Sequence, residues 1–117
     1  MKEFKQLRVW QKGFDIAVQT YKFSSTLPKH EQFGLISQIT RAAVSIPSNV
    51  AESSSRHSDK DKSRFIEISL GSSFELETQL LLSKAINMGD LIQCEEILEE
   101  LTQEQKMLNS YLKTLNG

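Results

Sequence analysis

The stretch AAVSIPSNVAES, Ala42 to Ser53, decides the fold. Proline removes a backbone donor and crowds the carbonyl four residues back, at about 3 kcal/mol or more in a helix interior. Taken alone, Pro47 would end a helix. Its flanks say otherwise. Ile36, Ile39, Ala43, Ile46 and Val50 step by 3, 4, 3 and 4, one face of a helix, and the phase survives across the proline. The spacing predicts a continuous second helix, kinked at Pro47, in which the Ala43 carbonyl loses its usual N–H partner.

Working outward, Leu7, Trp10, Phe14, Ala17 and Tyr21 form a first stripe, read as core, and Leu27-Pro28 ends it. After the second helix, SSSRHSDKDKSR has no apolar residue and reads as a junction. Ser58 with Asp61 resembles a capping box, which starts the third helix near Asp59. That helix is apolar on two sides. Phe65, Ile68, Leu76 and Leu80 lie on one, and Leu70, Phe74, Leu81 and Ala85 nearly opposite. Two apolar faces require two partners, so the second set predicts an oligomer interface. Gly89 reads as the stop. Leu91, Cys94, Leu98, Leu101, Gln105, Leu108, Leu112 and Leu115 make the fourth stripe, with Glu95, Glu96, Glu99 and Glu100 in its N-terminal half, where the helix dipole favours acid. No segment alternates long enough for a strand. The expectation is one all-α domain over residues 1–117, an antiparallel up-down four-helix bundle with helices over about 6–26, 31–56, 59–88 and 92–115.

Composition is that of an ordinary globular chain: 117 residues, 38% hydrophobic and 25% charged. The longest apolar run is too short to span a bilayer, and the N-terminus MKEFKQLRVW has no signal-peptide core, which predicts a cytoplasmic protein. Net charge is −1 but divides unevenly. Residues 1–64 carry eleven Lys and Arg against six acids; residues 65–117 carry three Lys against nine acids. A basic half and an acidic half suit either an acidic partner or the pairing of one subunit with another.

Chemistry-bearing patterns are few. GxSxG, HExxH and a phosphate-cradling glycine loop are missing from the sequence. Glu75 and Glu77 lie two apart, so on a helix they point in different directions. His30 and His57 form no Glu-x-x-His pair of the di-iron type. Cys94 sits on the fourth stripe and reads as a small buried hydrophobe. These readings predict no enzyme, no metal or cofactor, no small-molecule substrate and no membrane partner. Arg56, His57, Lys60, Lys62 and Arg64 are candidate contacts to RNA or another acidic partner, though Asp59 and Asp61 dilute them; a solvated junction is the alternative. Ser69, Ser72 and Ser83, with Gly71 beside them, interrupt the inner face of the third helix. Arg41, Asn49, Glu52, Glu75 and Gln79 either share a polar network around the kink or reach solvent.

Taken together, VWQ in the first helix, RAAVSIPSNVAE in the second, GSSFELETQL in the third and NMGDL after it resemble a family. They are similar to the four-helix bundle proteins encoded within intervening sequences of bacterial 23S rRNA genes, the S23 ribosomal protein family. The resemblance runs from about Phe4 to Leu115 and extends, more weakly, to the accessory variability protein of diversity-generating retroelements. It implies a homopentamer, association with RNA or a nucleoprotein, and no catalytic residues. A protein-interaction scaffold without nucleic acid is the other reading. The family often has glycine after the AE of the second helix; this chain has Ser53.

Overall fold

The computed structural model describes residues 3–117. They form four helices, α1 (Arg8–Ser24), α2 (Leu35–Ser54), α3 (Asp59–Ala85) and α4 (Leu91–Asn116), with 3-10 turns at Phe4–Gln6 and Lys29–Glu31. No strand occurs among the described residues. α2 is helical without interruption through Pro47. It begins at Leu35 rather than near residue 31, because the 3-10 turn and Gly34 (φ −105°, ψ −106°) intervene. The Glu31 carboxylate then accepts the Leu35 N–H at 3.1 Å and satisfies one free donor of the first turn.

The remaining ends have local chemical causes. Ser58 Oγ accepts the Asp61 N–H at 3.1 Å and starts α3. Asp90 does the same for the Gln93 N–H at 2.9 Å and starts α4. α3 stops three residues before the expected 88. Asn87, not Gly89, takes the left-handed position after the helix, with φ 58°. Its N–H reaches the Lys84 carbonyl and the Met88 N–H reaches that of Ser83, the paired bonds of a Schellman ending. Gly89 is needed for a different reason. Its φ is 82°, and a Cβ there would lie 2.8 Å from the Phe23 ring, which is wholly buried beneath it.

α1 and α3 each pack closely against α2 and α4 but not against each other, so they sit diagonally across the bundle. The core divides into two clusters. In one, Phe23, Leu35, Ile39, Leu76, Leu80, Cys94 and Ile97 bring together the end of α1, the start of α2, the end of α3 and the start of α4. In the other, Val9, Val50, Ile66 and Leu108 join the opposite ends. Between the clusters lies a level of small and polar residues: Gly13 of α1, Pro47 of α2, Ser69 and Ser73 of α3, and Glu104 of α4, all buried. Ser69 Oγ donates to the Ile46 carbonyl at 2.8 Å and ties α3 to α2 there.

The first stripe is corrected. α1 buries Val9, Gly13, Ile16, Ala17, Thr20 and Phe23, while Phe14 and Tyr21 are half-exposed. Gly13 explains the rotation, because it lets α1 approach α2 and α4 where a Cβ would meet Glu104 and Ile46 at 2.8 and 3.1 Å.

Two glycine substitutions separate these constraints. Gly89→Ala is expected to destabilise the protein by roughly 1–3 kcal/mol, since alanine is strained at that φ. Gly71→Ala is expected to stabilise it by about 0.5–1 kcal/mol, since a Cβ at that helical position meets open space. Urea unfolding of the two variants checks both signs.

Candidate functional site

The polarity of α3 is inverted. Its inner face buries Ser69, Ser72, Ser73, Gln79 and Ser83 beside Ile66, Leu76 and Leu80. Its outer face leaves Ile68, Phe74, Leu81 and Leu82 between 45% and 52% exposed. Small hydroxyls inside let α3 lie close to its neighbours, and each finds an acceptor. Ser72 pairs with Ser45 at 2.7 Å, Ser83 donates to the Met88 carbonyl and Ser73 to the Leu70 carbonyl. Of the residues expected at an interface, Phe74, Leu81 and Ala85 face outward, whereas Leu70 is half-buried against the second core cluster. Gly71, expected beside the inner serines, faces outward as well.

α1 carries a second unpartnered face. Trp10 stacks on Phe14 with ring centroids 5.0 Å apart, and Phe4 meets Trp10 edge-on at 5.4 Å. Phe14, Val18 and Tyr21 continue the row along the surface. Because α1 and α3 are diagonal, the two apolar faces look away from each other.

The basic junction lies between α2 and α3. Arg56 is not free. Its guanidinium bonds the Glu52 carboxylate at 2.8 Å and lies 4.4 Å from the Phe65 ring centroid. Such a stacked, paired arginine ties the end of α2 to α3. His57, Lys60 and Arg64 are exposed and Lys62 is half-buried. Ser53, where the family often has glycine, is buried and donates to the Lys62 carbonyl at 3.0 Å, fixing the end of α2 against the first turn of α3.

The five residues expected around the proline do not form one network. Asn49 bonds the Ser45 carbonyl and hydroxyl at 2.8 and 2.9 Å, so its chain of contacts runs on to Ser72. Arg41 and Glu75 line a groove of about 440 Å³ with Phe33 and Ser37. Glu52 is engaged by Arg56, and Gln79 is buried with its carbonyl oxygen unpaired. The contact between α2 and α3 at this level is made by short groups, Ser45 with Ser72, while Arg41 and Glu52 are exposed and Gln79 is buried without joining them. Cys94 is buried, its thiol donating to the Leu80 carbonyl, and burial pushes its pKa up. No group of three His, Cys, Asp or Glu among the described residues is placed to hold a metal, and no helix is long and apolar enough to cross a membrane.

Sequence reasoning missed Glu104. It is fully buried, and neither carboxyl oxygen has a partner among the described residues. Burial raises its pKa to about 8 against the opposing pull of Lys12, so it is uncharged at neutral pH. Lys12 itself is engaged by Glu100 and Gln103. The one available signal was Gly13, an unforced glycine in a helix interior, which makes room for a side chain from elsewhere.

A family model described as 23S rRNA-intervening sequence protein matches residues 5–110. The chain belongs to that family. A crystal structure of a protein of unknown function from the S23 ribosomal protein family of Bacteroides thetaiotaomicron VPI-5482 superposes with a TM-score of 0.82. The two chains are 27% identical, and the match covers 90% of this chain and 95% of the other. No curated protein matches.

The two kinds of cation at the junction are separable by stability. Arg56→Ser is expected to cost about 1 kcal/mol, chiefly from the lost contact with Phe65. Lys60→Ser, on an exposed surface, should stay within about 0.5 kcal/mol of the parent. Parallel thermal melts give the comparison.

Proposed function

We propose that this 23S rRNA-intervening sequence family protein is a non-enzymatic homo-oligomer that engages RNA or a nucleoprotein electrostatically. The observation that carries the reading is the pair of opposed apolar faces, half-exposed Phe74 and Leu81 on α3 and Phe14 and Tyr21 on α1. Different faces on opposite sides of one subunit suit head-to-tail contacts, which close into rings when the rotation permits. The resemblance supplies five as the number of copies. Uneven charge favours the same contact, because α1 belongs to the basic half of the chain and most of α3 to the acidic half. The same reading keeps helix directions alternating around the bundle and a bend in α2 at Pro47, where the proline ring crowds the Ala43 carbonyl.

A ring would repeat the α2–α3 junction at one level in every subunit. Lys60, Lys62 and Arg64 make no ion pair among the described residues, but Asp59 and Asp61 accompany them, so a single junction attracts phosphate weakly. Linked weak sites gain about 10²-fold or more in avidity when one ligand spans them. One of the five basic groups favours a second reading, a protein-interaction scaffold: Arg56 is already engaged by Glu52 and Phe65.

Phe74→Glu is expected to dissociate the oligomer at micromolar concentration, and Lys84→Glu to leave it intact, because only the first buries an unpaired charge in the contact. Light scattering reads the mass against the 13.3 kDa chain. A wild-type monomer overturns the oligomer. For nucleic acid, retention of structured RNA should fall steeply between about 50 and 200 mM salt. It should vanish in a Lys60→Ser, Lys62→Ser, Arg64→Ser variant that keeps the parent mass. Equal retention by that variant, or none by the wild type at low salt, leaves the scaffold reading.

A further inference from the structure

The buried level at Gly13, Pro47, Ser69 and Glu104 holds complementary polar groups. Pro47 has no N–H, so the Ala43 carbonyl in the middle of α2 lacks its helical donor. Among the described residues no side chain donates to it, and Ala43 is itself fully buried. A buried unpaired acceptor is costly. Glu104 presents the opposite deficit. Both its oxygens are buried without a donor. An ionised carboxylate there would be an unpaired buried charge, whereas a protonated carboxyl is itself a donor in need of an acceptor.

Glu104 and the nitrogen of Pro47, the residue whose missing N–H leaves the Ala43 carbonyl unpaired, come close to one point beside Gly13. A Cβ on Gly13 would stand 2.8 Å from Glu104 Oε2 and 3.5 Å from the Pro47 nitrogen. The glycine therefore lets an α4 side chain pass α1 and reach the proline turn of α2. On the opposite side of that turn, Ser69 of α3 already donates to the neighbouring Ile46 carbonyl.

We propose that the protonated carboxyl of Glu104 donates to the Ala43 carbonyl, so that one proton replaces the hydrogen bond Pro47 removes and makes the stability of the bundle fall as pH rises from acidic to neutral. The step is a proton gain or loss at the carboxyl and needs no other reactant. The charged groups around it are few. Lys12 faces it from α1 and is shared with Glu100 and Gln103 of α4. Glu77 of α3 is engaged by Gln105 on another side of α4. α2 presents Ile46 and Pro47, both uncharged. Once Glu104 ionises, its carboxylate faces an acceptor with no proton between them.

The sign of the pH effect follows from linkage. The folded pKa lies near 8 and the ordinary value at 4.5. Between them the folded state holds a proton that the unfolded chain has released, so stability falls as pH rises and levels off above about 8. Urea unfolding from pH 4.5 to 9.5 compares wild type with Glu104→Gln, which keeps an N–H donor but cannot titrate. The wild-type unfolding constant is expected to rise, relative to the glutamine variant, by up to tenfold per pH unit between about pH 4.5 and 8, and to run parallel to it above that. Parallel curves for the two proteins over the whole range would overturn the proposal. A second measurement identifies the acceptor. Glu104→Leu should raise the unfolding constant about tenfold or more in the wild-type background at pH 6. In a Pro47→Ala background, where the backbone N–H is restored to the Ala43 carbonyl, that factor should shrink several-fold. An equal factor in both backgrounds excludes the Ala43 carbonyl and sinks the pairing.

Discussion

The close approach of α1 and α3 to α2 at the level of Pro47 is the constraint on which the rest depends. Helix axes ordinarily pack 8–10 Å apart, with the separation set by the side chains at the contact. Here the contacting residues are Gly13, Pro47, Ser69 and Glu104, three small and one reaching across. Small residues bring the backbones near, and nearness exposes each helix's main-chain groups to its neighbours. Ser69 can therefore reach the Ile46 carbonyl. Larger side chains at those positions would move the helices apart and strand the polar groups. The proline persists because the surrounding helices at this level can answer for the donor it lacks.

The same arrangement sets the character of α3. Serines that permit close packing inside leave the larger apolar residues for the outside. The single chain thus buries hydroxyls along much of this helix and exposes leucine and phenylalanine. Each buried hydroxyl has a partner, so this face costs little in hydrogen bonding, but it yields less hydrophobic stabilisation than a leucine face would. The outer apolar surface is the reserve from which a second copy could recover that difference.

Much of this was legible in the residues, and the exceptions have physical causes. The α2 stripe is correct because no second apolar stripe of comparable size competes with it: Ile39, Ala43, Ile46 and Val50 are buried and Ile36 packs half-buried at the edge of the core. α1 misled because it carries two interleaved helical stripes. The aromatic one is larger, but the one containing Gly13, Ile16, Thr20 and Phe23 fits the narrow centre. Hydrophobic volume alone could not choose between them; shape did. The junction was found, but the pairing of Arg56 depends on Glu52 and Phe65 meeting it across a helix boundary. Glu104 lies one residue off the fourth stripe, where acid is expected to reach solvent, and nothing in linear spacing reveals that Gly13 of α1 admits it. Asn87 took the place of Gly89 at the end of α3 because asparagine, among the non-glycine residues, best tolerates the left-handed conformation.

The division of the core into two apolar clusters has a consequence for how the molecule breathes. Cooperative opening spreads through continuous apolar contact and stops where that contact is interrupted. The cluster around Phe23 and Leu80 is large, and it is sealed at its end by Gly89 over the Phe23 ring. The cluster around Val9 and Leu108 is smaller and includes the C-terminal turns of α4. The polar level between them acts as a firebreak. Fraying of the second cluster can proceed without loosening the first, so amide protons at the start of α1 and the end of α4 should exchange with solvent well before those flanking Phe23.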